Sequence, residues 1–230
     1  MTVNRRKLKK EIARYSFMIS GFFVISFGLV LMFETNLGVP PWDVFHLGVY
    51  QRAGFLSRGQ VMQGTGFFLI FLSYLLGVRP HAATVLNMIF IGLFIDFIYY
   101  LDLVHIGSGL SLRVAVFLAG SFLMGFGTST YMTANRGAGP RDSMMVALAQ
   151  KSGLNMGLVR TLLEVTVTLS GILLGGPFGV GTFMFALSIG FFMQMGFRFY
   201  RRLKKTPLYE GFLERHFPED HGLERSSSHA

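Results

Sequence analysis

The chain has 230 residues, 51% hydrophobic and only 14% charged, with 25 phenylalanines and no cysteine. About a quarter of a soluble domain is charged, so the composition excludes an ordinary soluble core, and the absence of cysteine excludes a disulfide framework and a thiolate metal site. The net charge of +9 sits beside apolar runs, where it marks membrane anchoring rather than nucleic-acid binding.

Six apolar windows, near 15–34, 59–77, 82–100, 112–133, 158–175 and 180–199, are long enough to span a bilayer. A hydrocarbon layer of about 30 Å takes roughly 20 helical residues. The runs are continuously apolar rather than alternating, which argues for helices and against a β-barrel. Residues 1–14 form a basic lead-in with Arg5, Arg6, Lys7, Lys9 and Lys10. Arg198, Arg201, Arg202, Lys204 and Lys205 close the last window and open a polar tail over 201–230. Basic residues flanking spans mark the cytoplasmic side. Both termini are therefore expected in the cytoplasm, which requires an even number of spans. The first run is too long for a signal-peptide core and is expected to stay as an anchor.

After the first span comes Thr35–Pro41, rich in Gly and Pro and hence non-helical. Pro41 then suits the first turn of a new helix, with Asp43 near its positive end. This helix ends near Ala53, roughly 20 Å by helical rise, and is too short to span. Two placements are open for it: flat on the surface, or re-entrant among the other helices. Spans two and three are joined by a tight Gly77–Pro80 turn, and residues 102–111 link to a second set of spans.

That second set repeats the first. Asn36, Gly38, Pro41 and Asp43 recur ninety-nine residues later as Asn135, Gly137, Pro140 and Asp142. Gly21 and Gly28 reappear as Gly120 and Gly127; after a one-residue deletion, Gly59 and Gly92 match Gly157 and Gly190. The repeats cover 15–101 and 112–200, each with three spans and one short broken-in helix. An odd number of spans per repeat requires the copies to be inverted relative to one another. The expected fold is all-α: six transmembrane helices as two inverted three-helix repeats, each with a short re-entrant or interfacial half-helix after its first span. Inverted repeats with broken helices are a recurrent plan of transporters.

The run Gly38-Val-Pro-Pro-Trp-Asp43 after a glycine-bearing span, with its weaker echo in the second half, resembles the YczE/YitT-type bacterial inner-membrane proteins. The similarity covers roughly residues 15–200; the second copy departs from it with Arg141 in place of Trp42. The resemblance implies a multipass protein of the bacterial inner membrane and supplies no catalytic or ligand residues.

Candidate site residues therefore rest on physics. Asn36, Trp42, Asp43, Asn135, Arg141 and Asp142 lie at the two breaks, where free N–H groups favour an anion and the carboxylates favour a cation or proton. Each Asp could instead satisfy its own helix end, and each Asn its own turn. Asp96 and Glu164 are secondary candidates, because ionisable groups inside spans are costly; Arg160 lies four residues before Glu164 and suits a local ion pair. His46, His81 and His105 show no ligand spacing, so no metal is expected, nor any other cofactor. No nucleophile elbow or phosphate loop is present, and the chain is not expected to be an enzyme. The expected partners are the lipid bilayer and a small solute, with a homo-oligomer allowed. Two functions follow: a transporter or facilitator for a small polar solute, or a membrane accessory protein that binds another component.

Overall fold

The computed structural model describes residues 5–134, 137 and 139–203, with side chains from residue 11 onward. Among these residues the fold is all-α, with eight helices: α1 (Arg5–Glu34), α2 (Pro41–Ala53), α3 (Arg58–Leu75), α4 (Ala82–Tyr100), α5 (Leu110–Thr133), α6 (Pro140–Ser152), α7 (Met156–Leu173) and α8 (Val180–Leu203). Five of them, α1, α4, α5, α7 and α8, are long and apolar enough to cross a membrane. Helix α3 has 18 residues but carries Arg58, Gln60 and Gln63 in its first turns, which lowers its apolarity. Outward faces of the long helices carry exposed Phe67, Phe71, Leu93, Leu162, Leu169, Leu187 and Phe191. An apolar surface on this scale needs a non-aqueous partner.

Helices α1 and α5 form the centre, with Met18, Phe22, Leu29 and Met32 packed into one core with Phe117 and Tyr131. They cross antiparallel on glycines. A Cβ on Gly28 would lie 2.6 Å from the Gly120 carbonyl oxygen, and one on Gly127 would lie 2.8 Å from that of Gly21. Only glycine permits this backbone approach. Because Gly120 is the counterpart of Gly21 and Gly127 that of Gly28, exchanging the repeats turns the Gly28–Gly120 contact into the Gly127–Gly21 contact. That reciprocity is what a two-fold relation between the repeats produces.

The remaining helices obey the same exchange. Helix α4 packs on α1 and α8 on α5, while α2 packs across on α7 and α6 on α3. The backbone repeats as well: Gly38 and Gly137 have φ of 106° and 118°, and Gly77 and Gly175 have 97° and 88°.

In one respect the repeats differ. Helices α3 and α4 are locked together: a Cβ on Gly92 would lie 2.6 Å from the Gly59 oxygen, and Gln63 Nε2 donates to the Ile89 carbonyl at 3.0 Å. Asp96 on α4 caps the start of α3, accepting from Ser57 Oγ at 2.5 Å and Gly59 N–H at 2.9 Å. The corresponding α7 and α8 stand apart. A Cβ at Gly190 would meet open space, and at Gly157 only its own neighbour Asn155. Gln194, the counterpart of Asp96, is exposed.

Candidate functional site

The site is built on the two breaks. Between α1 and α2 the chain turns at Asn36, whose φ of 53° is left-handed and tolerated by Asn more readily than by most residues. Pro41 opens α2 without forfeiting a helical hydrogen bond, and Trp42, Asp43, Val44, His46 and Leu47 are buried. The short helix is thus sunk among the others rather than laid on the outside of the bundle. Pro140 opens α6 in the same way, with Ser143, Met144 and Ala147 buried.

The N-termini of α2 and α6 meet. Arg141 Cζ lies 5.1 Å from the centre of the Trp42 ring, a cation–π geometry. Its Nη2 is 3.6 Å from Asp43 Oδ1, which also contacts His46 Nδ1 at 2.9 Å. Asp43 is fully buried, and among the described residues its Oδ2 has no hydrogen-bond partner. Of the two readings of the aspartates, self-capping fits Asp142, whose Oδ2 accepts the Gly139 N–H at 3.3 Å. It does not fit Asp43, which makes no cap bond to its own helix and serves Arg141 and His46 instead. A burial cost at this carboxylate is offset by the opposite charge beside it.

Beside these N-termini lies a cavity of about 220 Å³, below the roughly 300–1,000 Å³ of sites for drug-sized ligands. Pro40, Pro41, Trp42 and His46 line it from one repeat and Gly139, Pro140, Arg141 and Asp142 from the other. Its walls are paired by the duplication: Ile25 with Met124, Met62 with Arg160, Gly66 with Glu164, Asn87 with Phe185, Ile91 with Ile189. A cavity lined by counterparts lies on the axis that relates the repeats. Met62, Met88, Met124, Met132, Met145 and Met193 give it an adaptable apolar surface, and Thr65, Asn87, Thr128, Tyr131, Arg160 and Glu164 add polar groups beyond those at the helix N-termini. Arg160 and Glu164 of α7 and Phe185 and Met193 of α8 also line it.

Other expected residues fall elsewhere. Asn36 lines a second cavity of about 250 Å³ with Glu34, Tyr50, Arg58 and Tyr99. Asn135 lies outside the described residues. Asp96 is the cap of α3 and reaches neither cavity. Glu164 forms the expected pair with Arg160, at 3.0 Å, and lines the axial cavity as well. His46 and Tyr131 belong to the site without having been singled out for it. His46 could have been found from its spacing three residues after Asp43, one helical turn; Tyr131 comes from α5 and gives no local signal.

Residues 12–198 match the family of unknown function DUF6198. The chain is 35% identical over 191 residues to the uncharacterized membrane protein YczE of Bacillus subtilis (strain 168), covering 81% of this chain and 87% of that one. It is 34% identical over 197 residues to an uncharacterized protein of Haemophilus influenzae, covering 84% and 87%. A third relative, the uncharacterized protein YyaS of Bacillus subtilis, is 23% identical over 173 residues, covering 74% and 86%. No solved structure matches.

Proposed function

The chain belongs to this DUF6198 family of YczE-type multipass membrane proteins, and from that premise we propose that it is a transporter for a small solute bound in the axial cavity. Six helices span the bilayer in this reading, α3 included, with the repeats inverted, α2 and α6 re-entrant, and both termini cytoplasmic. The membrane is the bacterial inner membrane. The solute is small and polar at one end, where it meets Trp42, Arg141, Asp142 and the free N–H groups of two helices. Its remaining surface meets the methionines together with Thr65, Asn87, Thr128 and the Arg160–Glu164 pair.

One observation carries the proposal: two hairpins of like sequence take unlike states around one cavity. Helices α3 and α4 are closed on Gly59 and Gly92, whereas α7 and α8 are open at Gly157 and Gly190. A duplicated sequence that can close one hairpin holds the same small residues for closing the other. Exchange of the two states would move access to the cavity from one membrane face to the other, with α1 and α5 as the fixed frame. The energy gap between such states need be only a few kcal/mol. Uptake into proteoliposomes across a metabolite panel, with and without a proton gradient, tests the proposal. Accumulation or equilibration of at least one solute above protein-free vesicles is expected. No uptake of any solute would leave the accessory-protein reading in its place.

A further inference from the structure

The second cavity holds two opposite charges that do not pair with each other. Arg58 lies over two rings, its Cζ 4.7 Å from the centre of Tyr50 and 4.1 Å from that of Tyr99. Glu34 Oε1 accepts the Tyr99 hydroxyl at 2.8 Å. The guanidinium therefore sits over the face of Tyr99 and the carboxylate at its hydroxyl end, one phenol apart. Among the described residues Arg58 donates to no carboxylate, and Glu34 and Arg58 form no ion pair. Left to themselves in a cavity of about 250 Å³, two such long side chains gain by closing on each other. Here the tyrosines hold them open, with the exposed Asn36 turned beside them.

We propose that this cavity binds a small zwitterion of the α-amino-acid type, its carboxylate on Arg58 and its ammonium on Glu34. The planar guanidinium offers a carboxylate two parallel N–H donors. Contact with the Tyr50 and Tyr99 rings restrains the guanidinium before a ligand arrives, so less side-chain entropy is lost on binding. Glu34 keeps Oε2 for an ammonium while Oε1 stays with Tyr99. A molecule bearing one charge leaves the other protein charge unmatched, so the site discriminates zwitterions from simple amines and acids. The inference concerns binding alone and does not require that the bound molecule be transported.

The test is isothermal titration of the purified full chain in lipid nanodiscs with each of the common L-α-amino acids. At least one should bind saturably, and its decarboxylated amine and its deaminated acid should each bind at least about tenfold more weakly, as loss of one charge-assisted hydrogen bond implies. Arg58→Gln and Glu34→Gln should each weaken binding by about 10–100-fold. Glu34→Gln keeps an acceptor for Tyr99, so it reads the charge without removing that contact. Absence of binding by every amino acid to the wild-type chain would overturn the proposal. So would equal binding of the matching amine or acid, a comparison that needs no variant to fold. Because titration needs no gradient, these results separate failure of this site from failure of transport.

Discussion

Arg141 stacks on Trp42, its own counterpart in the other repeat, at 5.1 Å. A residue that touches its counterpart lies where the two copies meet, so this contact marks their junction. The pair also shows how the duplication diverged: one copy supplies the ring and the other the cation. Trp42 brings Asp43 with it, and Arg141 reaches that carboxylate as well.

Arg141→Gln should destabilise the protein by roughly 1–3 kcal/mol, because a fully buried Asp43 loses a charged partner. Partial exposure of Arg141 places the effect toward the lower end. Adding Asp43→Asn should restore part of the loss, since two neutral groups leave no uncompensated charge. Melting in detergent measures both, and an unchanged midpoint for Arg141→Gln would show that the pair contributes nothing.

Gly28 and Gly190 should respond oppositely to the same change. Gly28→Ala meets backbone at 2.6 Å, whereas a side chain at Gly190 meets open space. The first should cost about 1–3 kcal/mol as overpacking. Gly190→Leu should melt as wild type and still lower uptake severalfold, because it obstructs closure of α7 on α8. Normal uptake by Gly190→Leu would mean that this hairpin does not close during transport.

Asp142→Asn should fold with only a small loss, since Asn keeps an oxygen for the Gly139 N–H and is a good residue at helix starts. Facing the axial cavity, it should nonetheless reduce uptake at least about tenfold if its charge meets the solute. Uptake within twofold of wild type, in protein that melts normally, would confine Asp142 to capping.

Membrane orientation can be read with single cysteines, because the chain has none of its own. Gly109→Cys, in the linker between α4 and α5, should react with an impermeant thiol reagent applied outside intact cells. Arg79→Cys, in the turn between α3 and α4, should not. Both residues are exposed. The reverse pattern would invert the proposed topology.

Much of this architecture was legible in the sequence, because duplication and punctuation are local signals. The Pro41 start and the expected end near Ala53 agree with α2, and five of the six apolar windows correspond to helices long and apolar enough to cross a membrane. Contacts across the axis were not legible. That Trp42 meets Arg141 depends on how two repeats dock, and each looks in isolation like an interfacial or orienting residue. Asp96 read as an ionisable group in a span because its partners, Ser57 and Gly59, lie 39 and 37 residues away. The unequal hairpins were hidden for a deeper reason: both copies carry the same glycines, so pattern alone assigns them the same state.

In the proposed cycle α7 and α8 close as α3 and α4 do while solute crosses. Asn155 and Gln194 are both exposed, and they are the counterparts of Ser57 and Asp96, which touch. The decisive measurement is solute uptake by proteoliposomes of an Asn155→Cys, Gln194→Cys chain, oxidised and then reduced. A disulfide should form, uptake should stop with it, and reductant should restore uptake. Failure of the disulfide to form, or uptake undiminished once it has formed, would rule out closure of α7 on α8 as the transport step.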